Sequence, residues 1–115
     1  MSELNEDKLD DEIVIDFNQL RDPALKESFL SAFGHMVKRI LGSIFGPNKA
    51  PSVMVRGKPK EIKSFATALN SEGAYLAAVQ RYDLDHPRTH KNKAKLKRSV
   101  KKFERDTGIK WPFDV

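Results

Sequence analysis

Residues 22–47, DPALKESFLSAFGHMVKRILGSIFGP, read as one long helix with both of its ends written into the sequence. Asp22 is a good N-cap because its short carboxylate can accept from an unpaired N–H of the first turn. Pro23 suits the first helical position, where no backbone donor is needed. Gly46-Pro47 stops the far end. The spacing predicts a helix over 23–45, with Leu25, Phe29, Phe33, Met36, Val37, Ile40, Leu41 and Ile44 on a wide apolar face and Lys26, Lys38 and Arg39 on the other side. A chain of 115 residues has room for one core and needs such a helix as its spine. The same face would also suit an anionic lipid surface. Extended by Leu30 and Phe45, it would suit the contact of a homodimer.

On either side of this helix lies a short β-branched run, Ile13-Val14-Ile15-Asp16-Phe17 before it and Ser52-Val53-Met54-Val55-Arg56 after it. Both read as strands, and two strands separated by one helix permit a βαβ unit, with an all-helical packing as the alternative. Gly57-Lys58-Pro59 is a turn into further helix. The period Ile62, Phe65, Ala66, Leu69 is interrupted at Asn70-Ser71-Glu72-Gly73 and resumes with Ala74, Tyr75, Ala78, Val79 and Tyr82, so two helices are expected, 59–69 and 72–82. A single kinked helix competes with that reading, since one glycine inside a helix costs only about 1 kcal/mol. Asp83-Leu84-Asp85-His86-Pro87 is a turn, Thr89 caps a last helix, and Gly108 ends it, turning Ile109 back towards Phe103. Lys110-Trp111-Pro112-Phe113 then crosses the core. The expected fold is α+β and mostly helical: a long core helix, two shorter helices and a basic C-terminal helix, with two short strands.

Charge divides the chain sharply. Residues 1–16 hold seven acids against Lys8 alone, so a total of +5 leaves +11 on the remainder. Residues 1–12 read as an acidic flexible tail, able to compete for a cationic surface, ahead of a single small globular domain at 13–115. No cysteine is present, which excludes disulfides, thiolate chemistry and cysteine zinc sites. No secretory leader is legible, and no apolar run approaches the roughly 20 residues of a membrane span, so a cytoplasmic protein without a membrane partner is expected.

The basic surplus is concentrated between His86 and Arg105, where nine Lys or Arg residues face one acid, Glu104. Leu96, Val100 and Phe103 fall at i, i+4 and i+7, so the segment docks one stripe and shows cations elsewhere. Arg88, Lys91, Lys95, Arg98, Lys102 and Arg105 are the candidate binding residues, and DNA or RNA is the expected partner, because neutralising phosphates releases condensed counterions. The sharpest form is a helix-turn-helix with 72–82 as first helix, 83–88 as turn and the basic helix in the major groove. The broader form is phosphate-dominated binding with weak sequence specificity. An acidic protein partner and a solvated face that only keeps the chain soluble are the alternatives. Tyr75, Tyr82 and Trp111 could stack on bases, but each sits beside apolar residues and reads as an anchor.

No reaction is named by these residues. Asp83, Asp85, His86 and His90 are the one cluster with acid-base or metal-ligating chemistry. Asp85-His86 followed by Asn92 resembles the core of His-Asn-His nucleases, yet lacks the hairpin-and-helix frame that such sites require. Gly57 and Gly73 stand alone, so no phosphate loop and no cofactor are implied. Ile62 to Leu69, Tyr82-Asp83-Leu84 and the ending Gly108-Ile109-Lys110-Trp111-Pro112-Phe113 resemble segments of short accessory proteins of large tailed bacteriophages. That resemblance implies a role in handling nucleic acid or a host machine during infection, and it carries over no functional residue.

Overall fold

The computed structural model describes residues 12–45 and 51–114, so the acidic stretch before Glu12 and the Gly46-Pro47 helix stop lie outside the described residues. The architecture is α+β and mostly helical, with element order β1 (Glu12–Asp16), a 3-10 helix (Phe17–Arg21), α1 (Lys26–Phe45), β2 (Ser52–Arg56), α2 (Pro59–Tyr82) and α3 (Pro87–Thr107). By its contacts the chain falls into two compact units, one ending at Lys58 and the other starting at Pro59.

In the first unit β1 and β2 pair in parallel, with Ile13 opposite Val53 and Ile15 opposite Val55, and α1 connects them. Alternation decides the faces: Ile13 and Ile15 are buried while Glu12 and Val14 are exposed. The strand takes in Glu12 and ends one residue before the expected Phe17, because the Asp16 carboxylate accepts from Asn18 N–H at 3.0 Å and turns the chain into the 3-10 helix. Phe17 is thereby driven inward against Phe29 and Phe33, the three ring centroids lying 5.7–6.0 Å apart in tilted or edge-on geometry. Val37, Ile40 and Leu41 complete this core.

The helix expected from Pro23 begins at Lys26. Asp22 uses its carboxylate on Ala24 N–H at 2.9 Å, and its carbonyl accepts from both Leu25 and Lys26, so 23–25 form a turn that leads into α1. Leu25, lying in that turn, is left exposed.

The second unit corrects the sequence reading most clearly. Residues 59–82 form one helix, not two with a break at 70–73. The turn-forming residues there are recruited by the surrounding packing: Ser71 Oγ lies 2.8 Å from Ser99 Oγ, and the Glu72 carboxylate accepts from the Trp111 indole at 2.9 Å. Tertiary contacts thus override local propensity. Ala78 meets Thr89, Ser71 meets Ser99 and Phe65 meets Phe103. As the number on α2 falls the number on α3 rises in step, which is the register of an antiparallel hairpin packed along its length. The helix-turn-helix weighed as the sharper alternative, whose helices cross near their turn, does not form; this is an αα-hairpin.

Only residues 83–86 connect the two helices. Asp83 adopts a φ of 90°, and its carboxylate accepts from the N–H groups of Asp85 and His86. His86, not Thr89, is the N-cap of α3, its Nδ1 accepting from Arg88 N–H at 3.1 Å. Thr89 is buried instead, and its hydroxyl donates to the Asp83 carbonyl at 2.6 Å. Gly108 ends α3 in the left-handed conformation, φ 75°. The tail then folds back as expected: Ile109 and Trp111 are buried, with the Trp111 ring edge-on to Phe103 at 5.2 Å.

Candidate nucleic-acid interface

Helix α3 divides into a buried face and a cationic one. Thr89, Leu96, Val100 and Phe103 are buried, while all nine cations between Arg88 and Arg105 are exposed. The six candidates recur at alternating steps of three and four, which stacks Arg88, Lys91, Lys95, Arg98, Lys102 and Arg105 in one row. At 1.5 Å per residue that row runs about 25 Å along the axis. Lys93, Lys97 and Lys101 form a second row, at steps of four, on the other flank of the exposed surface.

The six are not equally available. Arg88 is tied to the interhelical turn: its Nη1 donates to the Tyr82 hydroxyl at 2.8 Å, and its guanidinium carbon lies 5.4 Å from the Tyr82 ring centre. Tyr82 in turn stacks on His86 with centroids 4.5 Å apart, and Arg81 approaches the same ring at 5.5 Å. Lys102 makes an ion pair with Asp106 at 3.0 Å, its side chain 53% exposed and that of Asp106 10%. That hydrogen bond, foremost, holds the Asp106 carboxyl below the usual range, with the charges of Lys102, Lys60 and Arg105 adding to it. Among the described residues no carboxylate lies within ion-pair distance of Lys91, Lys95 or Arg98. These three form the open centre of the row.

Two side chains that the charge pattern did not single out shape its end. Arg81 and His86 join Tyr82 and Arg88 in the cluster at the turn. The signal was the Arg81-Tyr82 pair ending four residues before a histidine that can cap the next helix. Tyr75 and Tyr82 are half-buried and Trp111 is buried, the last serving the core.

Of the group weighed for acid-base or metal chemistry, Asp85 and His90 are exposed, and Asp83 and His86 are held in structural contacts. Asp83 closes the turn, His86 caps α3, and Asn92 donates to the Arg88 carbonyl at 2.8 Å. Among the described residues no three His, Asp or Glu side chains are gathered to hold a metal ion. Among the same residues no helix is long and apolar enough to cross a membrane. No family model, curated protein or solved structure matches this chain.

Proposed function

We propose that the protein binds nucleic acid as a small cytoplasmic accessory factor, using the outer face of α3 mainly on phosphates and with weak sequence specificity. The observation that carries this reading is the row on α3 in which Lys91, Lys95 and Arg98 stand exposed with no paired acid among the described residues. Such a row acts against the helix that bears it. Lys91 and Lys95, Lys93 and Lys97, Lys97 and Lys101, Arg98 and Lys102, and Lys101 and Arg105 are like charges at i,i+4, each pair destabilising by about 0.2–0.5 kcal/mol. A face serving solubility alone gains more from interspersed signs. A polyanion relieves the repulsion and turns it into affinity.

The test is fluorescence anisotropy with labelled double-stranded DNA, single-stranded DNA and RNA over a salt series. Affinity that falls linearly on a log–log salt plot, and is abolished by K95Q/R98Q/K102Q with helicity retained, supports the reading. Full affinity in that variant refutes it.

A second reading, a protein-interaction or assembly factor, draws on exposed apolar side chains on the first unit: Leu25 is 44% and Leu30 43% exposed. Phe29 and Phe33 are committed to the unit's own core, so self-association would use these leucines and not those two rings. An acidic protein partner for α3 would show one-to-one selectivity, where a phosphate binder accepts many sequences alike.

A further inference from the structure

The second cationic row has no role in a simple phosphate strip, and its position around α3 points to the form of the ligand. Taking 100° per residue, the row Arg88 to Arg105 and the row Lys93, Lys97, Lys101 lie roughly 130° apart about the helix axis, one on each side of the direction facing away from the buried stripe. Between them sit His90 and Ala94, both exposed, Ala94 being the one short side chain on this surface. A single phosphate strand can follow one row at a time. Contact with both at once requires two phosphate strands flanking the helix.

We propose that α3 docks in the major groove of B-form duplex DNA, the long row on one backbone, Lys93, Lys97 and Lys101 on the other, and Ala94 directed to the groove floor. This rests on the nucleic-acid reading and extends it to a ligand geometry. The dimensions agree: the B-DNA major groove is about 12 Å wide, and an α-helix with its side chains is about 10–12 Å across. Charge complementarity is two-sided, as the groove is. The major groove of an A-form RNA duplex is too deep and narrow to admit a helix, so the same device discriminates against double-stranded RNA. Approach from the far side of α3 also leaves the hairpin seam untouched, since the residues that bury against α2 and the C-terminal segment face the other way.

The experiment compares the parent with K93Q/K97Q/K101Q on a DNA duplex, an RNA duplex and a DNA single strand of matched sequence, with helicity checked by circular dichroism. Each phosphate neutralised on B-DNA contributes about 0.9 to the salt slope, so the variant is expected to lose about 2.7 units of slope on the DNA duplex and less than about 1 on the single strand. The parent is expected to bind the DNA duplex at least about tenfold more tightly than the RNA duplex. Equal loss of slope on duplex and single strand, or equal affinity for the two duplexes, overturns the groove docking and leaves nucleic-acid binding standing. Absence of binding to all three ligands overturns both.

Discussion

The Trp111 indole N–H donates to Glu72 Oε1 at 2.9 Å inside the core of the second unit, joining residues 39 positions apart. The Trp111 backbone N–H donates to Glu104 at 2.8 Å, so the C-terminal segment is held by a carboxylate from each helix of the hairpin. Burial pushes the Glu72 carboxyl up from its ordinary range, and the indole hydrogen bond opposes that rise only in part.

A pH-dependent stability follows. Because folding favours the protonated form of Glu72, its contribution is fully present below the ordinary glutamate value of 4.5 and is lost as pH rises through the raised folded value. Glu72→Gln keeps an acceptor for the indole and removes the titration. Its melting temperature is expected to exceed the parent's at pH 7 and to match it near pH 3.5. Trp111→Phe removes the donor and is expected to cost about 1–3 kcal/mol, more at neutral than at acid pH. Thermal melts at the two pH values check both, and a parallel fall of Glu72→Gln and parent at pH 7 would sink the account.

Two glycines predict substitutions of opposite sign. Gly73 lies within α2 with open space where a Cβ would stand, so Gly73→Ala is expected to stabilise by about 0.5–1 kcal/mol. A broken helix at 70–73 would give no such gain. Gly108 also has open space but holds a φ of 75°, and Gly108→Ala is expected to destabilise by about 1 kcal/mol. Urea titrations of the two variants read both signs.

Lys102 and Arg98 contrast a cation paired with Asp106 and one with no ion-pair partner among the described residues. Asp106→Asn releases Lys102 and is expected to raise affinity for DNA a few-fold at low salt, an effect that fades as ionic strength rises. Arg98→Gln is expected to lower affinity more than Lys102→Gln does, since Lys102 is already partly neutralised. The lowered Asp106 carboxyl titrates below the usual 3.8, so stability linked to this pair is present above that value and lost as pH falls through the folded value. Anisotropy titrations at two salt concentrations decide the first two points.

Binding and stability are expected to move in opposite directions along α3. Relieving the like-charge pairs with K93Q/K97Q/K101Q removes three of the five i,i+4 repulsions and is expected to stabilise the fold by about 1 kcal/mol while weakening DNA binding. A loss of stability instead would mean that these lysines make favourable contacts in the fold. Calorimetry beside the binding assay tests both halves.

Much of this architecture was legible in residue order. β-branched runs at 13–17 and 52–56 and the Phe29 to Leu41 stripe permitted a parallel pair and its crossover beside an all-helical alternative, and Gly108 announced the end of α3. The continuity of α2 was not legible, since Asn70-Ser71-Glu72-Gly73 has the composition of a turn. What keeps it helical is Ser99 and Trp111, far along the chain. The choice of His86 over Thr89 as cap was hidden too, because the Thr89 hydroxyl is turned inward to donate to the Asp83 carbonyl. The six candidate cations could be placed on one face from spacing alone, whereas the Asp106 pairing of Lys102 and the Tyr82 contact of Arg88 needed coordinates.

The strand register has a kinetic side. Ile13 lies opposite Val53, forty positions on, so the parallel pair cannot form before a long stretch of chain has been brought round, with its closure entropy spent in advance. The contact between Thr89 and the Ala78 carbonyl spans eleven positions, and those beyond it lengthen one turn at a time. On refolding, the helical hairpin can therefore close from its turn like a zipper, while the two strands meet late. In that interval an unpaired β-branched edge is exposed to other chains, and Asp10, Asp11 and Glu12, which precede Ile13 directly in sequence, carry charges that repel between chains.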